Sequence, residues 1–211
     1  MEHQDRHRRW FEDLESFSRR VLTTVLFTDV VDSTGRLVEL GDRAWARLLG
    51  NHHACFRSRL AGFGGREVDA AGDGFLAAFE VPTLAVAFAC AFHDEVADLG
   101  LEVRTGVHTG ECEFEDGRLR GVTVHLGARL AGIADPGEVL VSATVRDVVA
   151  GGELTFADRG LYQLRGIPGR RRLFAAEWRA DRKPEGPQLG RSRSAVGVSR
   201  RQQRAVGTTE R

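Results

Sequence analysis

Lysine is almost missing from this 211-residue sequence: of its 30 basic residues, every one but Lys183 is arginine. A Schiff-base mechanism, or a phosphate-cradling loop that needs a lysine in the folded body, is thereby excluded. Cysteine is scarce too. Cys55, Cys90 and Cys112 are odd in number and far apart, so they offer no disulfide framework and point to a reducing compartment. No apolar run reaches the roughly 20 residues of a membrane span. Residues 1–10 are too polar and charged for a secretory leader, so a cytoplasmic location with no membrane partner is expected. Net charge is absent as well: thirty acidic residues balance thirty basic ones, and no specific nucleic-acid partner is expected of such a chain.

What is present is an ordinary globular balance, 42% hydrophobic and 28% charged, over a length that suits one medium domain and leaves no room for a fused sensor. The charge is unevenly spread. Residues 179–211 hold nine basic and three acidic side chains, net +6, which leaves the remainder at −6. This stretch has almost no large apolar residue and is expected to be a disordered basic tail. At the other end, Trp10, Phe11, Leu14, Phe17 and Val21 recur at helical spacing, predicting a helical extension over residues 1–19. The body, residues 20–178, opens with a β-branched strand over 21–31 and continues with a helix over 36–63 ended by Gly64 and Gly65. Strands over 66–71 and 75–79 flank the turn Gly72-Asp73-Gly74, and Pro82 opens a helix closed by Gly100. A strand over 101–110, a helix over 121–134 and strands near 138–142, 154–156 and 172–177 complete the domain. The order predicts an α+β fold, a ferredoxin-like βαββαβ core with a C-terminal αββ extension.

Two aspartates stand out. Asp29 ends an otherwise apolar strand, and Asp73 sits in the tight turn of the next hairpin. Taken singly, an Asp beside a Gly turn is ordinary turn chemistry. On adjacent strands, two such groups could hold a pair of divalent cations that stabilise the attacking and leaving oxygens of a phosphoryl transfer. Ser33 and Thr34, with their backbone N–H groups, lie just before the long helix, where a phosphate is readily seated.

The segments FTDVVDSTGRL, GGREVDAAGDGFLAAF, VRTGVHTGE, GVTVHLGARLAGIADPGEVLVS and FADRGLYQLRGIPGRRRLFA follow one another in order across residues 20–178. Together they resemble the catalytic domain of class III nucleotidyl cyclases, most nearly the actinobacterial adenylate/guanylate cyclase-like subgroup. The resemblance implies that Asp29 and Asp73, with the Val30 carbonyl, hold two divalent metal ions, Mg or Mn. It implies a homodimer with active sites between the protomers, where Arg129 is the transition-state arginine and His125 the helix residue four positions before it. Arg165 takes the place of a basic residue that binds the triphosphate, alongside Ser33 and Thr34. The implied reaction converts a nucleoside triphosphate to a cyclic 3′,5′-mononucleotide and pyrophosphate.

The sequence departs from that pattern in two places. Adenine-selecting members carry Lys at the position of Asp69 and Asp at that of Arg118, so the two charge signs are exchanged here. An acceptor paired with a fork of donors suits a lactam base, uracil or guanine. This departure is similar to the stand-alone uridylate and cytidylate cyclases of Pycsar anti-phage signalling, and makes UTP the first candidate, then GTP. Alternatives are an adenylate cyclase with unorthodox base contacts, a mutual Asp69–Arg118 ion pair that reads nothing, and a catalytically silent dimerisation or nucleotide-sensing module. Asp32 is the second departure, a carboxylate where the family has Gly in the phosphate-binding turn.

Overall fold

The β-branched run after the first twenty residues forms β1 (Arg19–Val30), and the sheet is assembled around it. In the computed structural model, which describes residues 19–149 and 153–178, β1 lies between β3 (Gly74–Phe79) and β4 (Val103–Glu115) and is antiparallel to both. The strand order is β2-β3-β1-β4-β6-β8-β7, with β2 (Arg66–Ala71), β6 (Val139–Ser142), β7 (Leu154–Gln163) and β8 (Arg170–Trp178). A short β5 (Arg118–Arg120) pairs with the far end of β4. The first four strands have the ferredoxin-like arrangement, and β6 extends it by joining β4 in parallel.

The helices differ from expectation in two ways. The single helix predicted over 36–63 is two helices, α1 (Ser33–Leu40) and α2 (Asp42–Gly62). Gly41 separates them at φ 75°, a left-handed conformation that glycine adopts without a steric cost. Helices α3 (Pro82–Asp98) and α4 (Val122–Ile133) lie where proline and glycine signals placed them. A further helix, α5 (Ala143–Val149), follows β6, and it and the short β5 are elements that the sequence pattern does not predict. Of the expected N-terminal extension only Arg19 is described, and it opens β1; the tail over 179–211 lies outside the described residues.

Period-two alternation sends β1 side chains to two different cores. Leu26 and Val30 join Phe75, Ala77 and Phe79 beneath α2 and α3, where Phe56 stacks on Phe75 at 3.9 Å. Val25 and Phe27 point the other way, to the face that carries α4. There the backbones nearly touch. A Cβ at Gly106 of β4 would lie 2.2 Å from the Ala131 nitrogen and 2.5 Å from the Gly127 carbonyl oxygen of α4.

His52 of α2 is fully buried between Phe75 and Phe92, at 5.6 and 5.4 Å between ring centroids, and neither ring nitrogen has a hydrogen-bond partner. Burial, reinforced by neighbouring His53, pushes its pKa down to about 4. The unfolded chain binds this proton below about 6.5 and the folded one only near 4, so stability present above pH 6.5 is lost as pH falls between the two. The expected loss from this one side chain is about 3 kcal/mol by pH 4. His52→Leu should flatten the pH dependence of the urea midpoint between pH 7 and 5 relative to the parent chain; an unchanged slope would assign the acid sensitivity elsewhere.

Candidate active site

Asp29 and Asp73 are brought together by strand pairing. Thr28 of β1 pairs with Phe75 of β3, which sets Asp29 beside the Gly72–Gly74 turn. Its Oδ1 lies 3.9 Å from where a Cβ on Gly74 would be. Its Oδ2 accepts from Arg104 of β4, the residue directly opposite, at 3.0 Å from Nε and 2.5 Å from Nη2. Asp73 occupies the turn itself, and its Oδ2 is buried with no hydrogen-bond partner. His53 of α2 steadies the turn: its Nε2 lies 3.0 Å from the Gly72 carbonyl, to which it donates.

A buried, unpartnered carboxylate oxygen is costly unless something cationic meets it. With Asp29 Oδ1 beside Gly74 of the same turn, two carboxylates are the donor type that suits a hard divalent cation. Among the described residues no third His, Cys, Asp or Glu joins the pair. Backbone carbonyls, with Val30 the one the family resemblance implies, water, or oxygens of a bound substrate would complete the coordination.

The turn after β1 holds the second departure from the family pattern. Asp32 adopts φ 51° and ψ 40°, the left-handed region that glycine favours and that Asp tolerates better than most side chains. Its carboxylate makes no cap hydrogen bond and lies against Gly35, where a Cβ would come within 2.3 Å of Oδ2. Ser33 and Thr34 open α1 beside it, and the turn is tied down by Val31 N–H to the Glu102 carbonyl at 2.8 Å.

Asp69 and Arg118 line one cavity of about 380 Å³, walled by Phe27, Leu76, Leu119 and Val124. A β-bulge makes this possible. The β2–β3 register shifts between Glu67 and Asp69, so Asp69 pairs with Leu76, a residue of the cavity wall. Simple alternation would have sent Asp69 to the same face as Glu67, which instead pairs with Arg57 of α2 at 2.8 Å. Asp69 Oδ1 accepts from the Ala70 N–H at 2.9 Å, and among the described residues Asp69 and Arg118 form no ion pair with each other.

Helix α4 divides this face of the sheet. Val124 packs toward the cavity and the β1–β3 side, whereas Leu126 and Leu130 pack toward β6 and β8. His125 and Arg129 are both exposed, and Arg129 Nε donates to the Arg165 carbonyl at 3.2 Å. Asp29 and Asp73 thus form one group, Asp69 and Arg118 a second beside it, and Arg129 and Arg165 a third. Among the described residues no ion pair joins the first group to the third: Asp29 pairs with Arg104, and Arg129 is tied to the Arg165 carbonyl.

The model of the adenylate and guanylate cyclase catalytic domain matches residues 18–177. The chain is 31% identical over 159 residues to the "Putative adenylate cyclase 3" of Rhizobium meliloti, covering 71% of this chain and 27% of that protein. Among solved structures, the adenylyl cyclase CyaB of P. aeruginosa superposes with a TM-score of 0.70 at 22% identity, covering 75% of this chain and 95% of that one. The guanylate cyclase domain of RhGC from Catenaria anguillulae, in complex with GTP, superposes with a TM-score of 0.69 at 18% identity, covering 76% and 99%. This chain belongs to the adenylate and guanylate cyclase catalytic domain family. It spans only 27 to 35% of the length of the curated relatives it first matches.

Sequence reasoning missed Arg104 and His53. Both act through register or packing: Arg104 counts only once β4 is aligned against β1, and His53 only once α2 is laid over the hairpin. Removing the unpartnered oxygen gives a direct check. Asp73→Ala should leave the metal-free protein as stable as the parent or up to about 1 kcal/mol more so, while abolishing the rise in melting temperature on adding Mn²⁺. A retained Mn²⁺ shift would remove Asp73 from the metal site.

Proposed function

We propose that this chain is a nucleotide cyclase that forms a cyclic 3′,5′-mononucleotide and pyrophosphate from a nucleoside triphosphate with a lactam base, UTP before GTP. The observation that carries the reading is that Asp29 lies beside the turn that holds Asp73, whose buried Oδ2 has no partner, next to a cavity bearing Asp69 and Arg118. Metals held there would activate the ribose 3′-hydroxyl and offset charge on the triphosphate. Family membership supports cyclase chemistry; the preference for UTP rests on the cavity and its likeness to uridylate cyclases of anti-phage signalling.

The chain's own residues divide the work. Asp69 offers a carboxylate to the ring N–H of uracil or guanine, and Arg118 offers N–H donors to the adjacent carbonyl. The apolar walls from Phe27, Leu76 and Val124 exclude water and make each mismatch cost more. An adenine in this cavity would set its exocyclic amine and unprotonated ring nitrogen against the wrong partners, leaving polar groups unpaired at about 1–3 kcal/mol each. Ser33 and Thr34 donate to phosphate oxygens at the start of α1. Arg129 and Arg165 neutralise charge that develops on the triphosphate, with His125 on the same helix face as Arg129. As the family resemblance implies, a second copy of the chain supplies these last groups, making a homodimer whose sites lie between protomers.

Incubating the purified chain with each of the four triphosphates and Mn²⁺, with products resolved by mass, tests the reading. Cyclic UMP is the expected main product, with cyclic GMP next. Cyclic AMP as the main product would favour the adenylate cyclase reading, in keeping with the name of the rhizobial relative. No cyclic product at all would leave a silent nucleotide-sensing module. The double substitution Asp69→Lys with Arg118→Asp should shift preference toward ATP by tenfold or more, and an unmoved preference would refute base reading by this pair. Mixing Asp73→Ala and Arg129→Ala chains should restore up to about a quarter of parental activity, the share of one intact site in a random half of dimers. No restoration would argue against shared sites.

A further inference from the structure

Arg104 does more than pair with a neighbour. Both of its bonded nitrogens, Nε and Nη2, converge on one oxygen of Asp29, Oδ2, and leave Oδ1 beside Gly74, in the turn that carries Asp73 with its unpartnered Oδ2. The guanidinium is two-thirds covered and Asp29 is somewhat more exposed, so the charge is only partly screened. The corner therefore holds two carboxylates against one built-in cation.

We propose that Arg104 withholds this corner from free divalent cations and makes their binding depend on the nucleotide's own negative charge. The proposal rests on the function assigned above, which gives the site its metal. A divalent cation on Oδ1 and a guanidinium on Oδ2 are like charges sharing one carboxylate, and their repulsion across a half-covered site amounts to tenfold or more in affinity, about 1.4 kcal/mol per tenfold. A bound triphosphate contributes several negative charges to the same corner and offsets that repulsion. Arg104 also holds the Asp29 carboxylate in the orientation that presents Oδ1. It is thus a positioning residue that sets the order of binding, metal arriving with or after the nucleotide.

The test measures Mn²⁺ binding by the electron paramagnetic resonance signal of the free ion, without turnover, at fixed ionic strength. The unmodified chain should bind Mn²⁺ weakly alone and at least tenfold more tightly with 3′-deoxy-UTP or 3′-deoxy-GTP, which lack the reacting hydroxyl. Arg104→Gln and Arg104→Met should bind Mn²⁺ alone at least tenfold more tightly than the parent, and Arg104→Lys, which keeps the charge, should resemble the parent. Adding Asp29→Asn to Arg104→Gln should abolish the gain. Equal Mn²⁺ affinity in the parent with and without nucleotide overturns the proposal, whether or not the variants fold. So does Mn²⁺ binding that is unchanged or weaker in folded Arg104→Gln. Cyclic product formation by the parent, measured separately, distinguishes the two readings. Turnover with unmoved Mn²⁺ affinities defeats only this inference, and the expected affinities without turnover on any triphosphate defeat only the cyclase reading.

Discussion

The seat of α4 on β4 constrains everything else on the active face. Gly106 lets the helix backbone approach the strand backbone so closely that no side chain fits between, and Gly127 seats the helix directly on the Val25 side chain, where a Cβ would come within 2.8 Å of Cγ2. Such contact leaves the helix no freedom to roll or slide. Its register is therefore set by backbone geometry rather than by adaptable side chains. From that register follow the direction of Val124 into the cavity wall, of Leu126 and Leu130 into the β6–β8 core, and of His125 and Arg129 outward.

Charge is distributed with the same economy. The anionic corner lies where β1 ends beside the turn that carries Asp73, while Arg129 stands exposed on α4 with its Nε on the Arg165 carbonyl. Among the described residues these opposite charges form no ion pair with one another. Each half-site stays open to a partner of the opposite sign, which a molecule with a polyanionic end and metal ions can satisfy on both sides at once. Arg104, which does reach the anionic corner, neutralises a single oxygen of Asp29 and leaves the other toward Gly74.

Much of this was legible in the residues. Period-two runs and glycine or proline punctuation marked β1 to β4, α3 and α4 because local sequence carries those signals. Gly41 lay inside a continuous helical apolar pattern, and pattern alone does not tell a tolerated glycine from one at φ 75°. The β4–β5 turn had a signal that went unused, Asp116-Gly117, both at positive φ. Helix α5 spans seven residues, too short for periodicity to declare itself. Asp29 and Asp73 could be singled out because each sits where a strand ends or turns. Arg104, by contrast, looks like any arginine on a strand until the partner opposite is known, and the residues of β2 say nothing of the bulge.

That bulge insulates one set of properties from another. On its near side Glu67 is tied to Arg57 and the helical layer; on its far side Asp69 faces the cavity. Stability and ligand choice are thus assigned to neighbouring residues that point to opposite faces. Sequence drift at position 69 can explore new ligands without disturbing the helical layer. The cost is that a one-residue deletion in β2 would exchange the two faces at a stroke, so this strand is free to vary in composition but not in length.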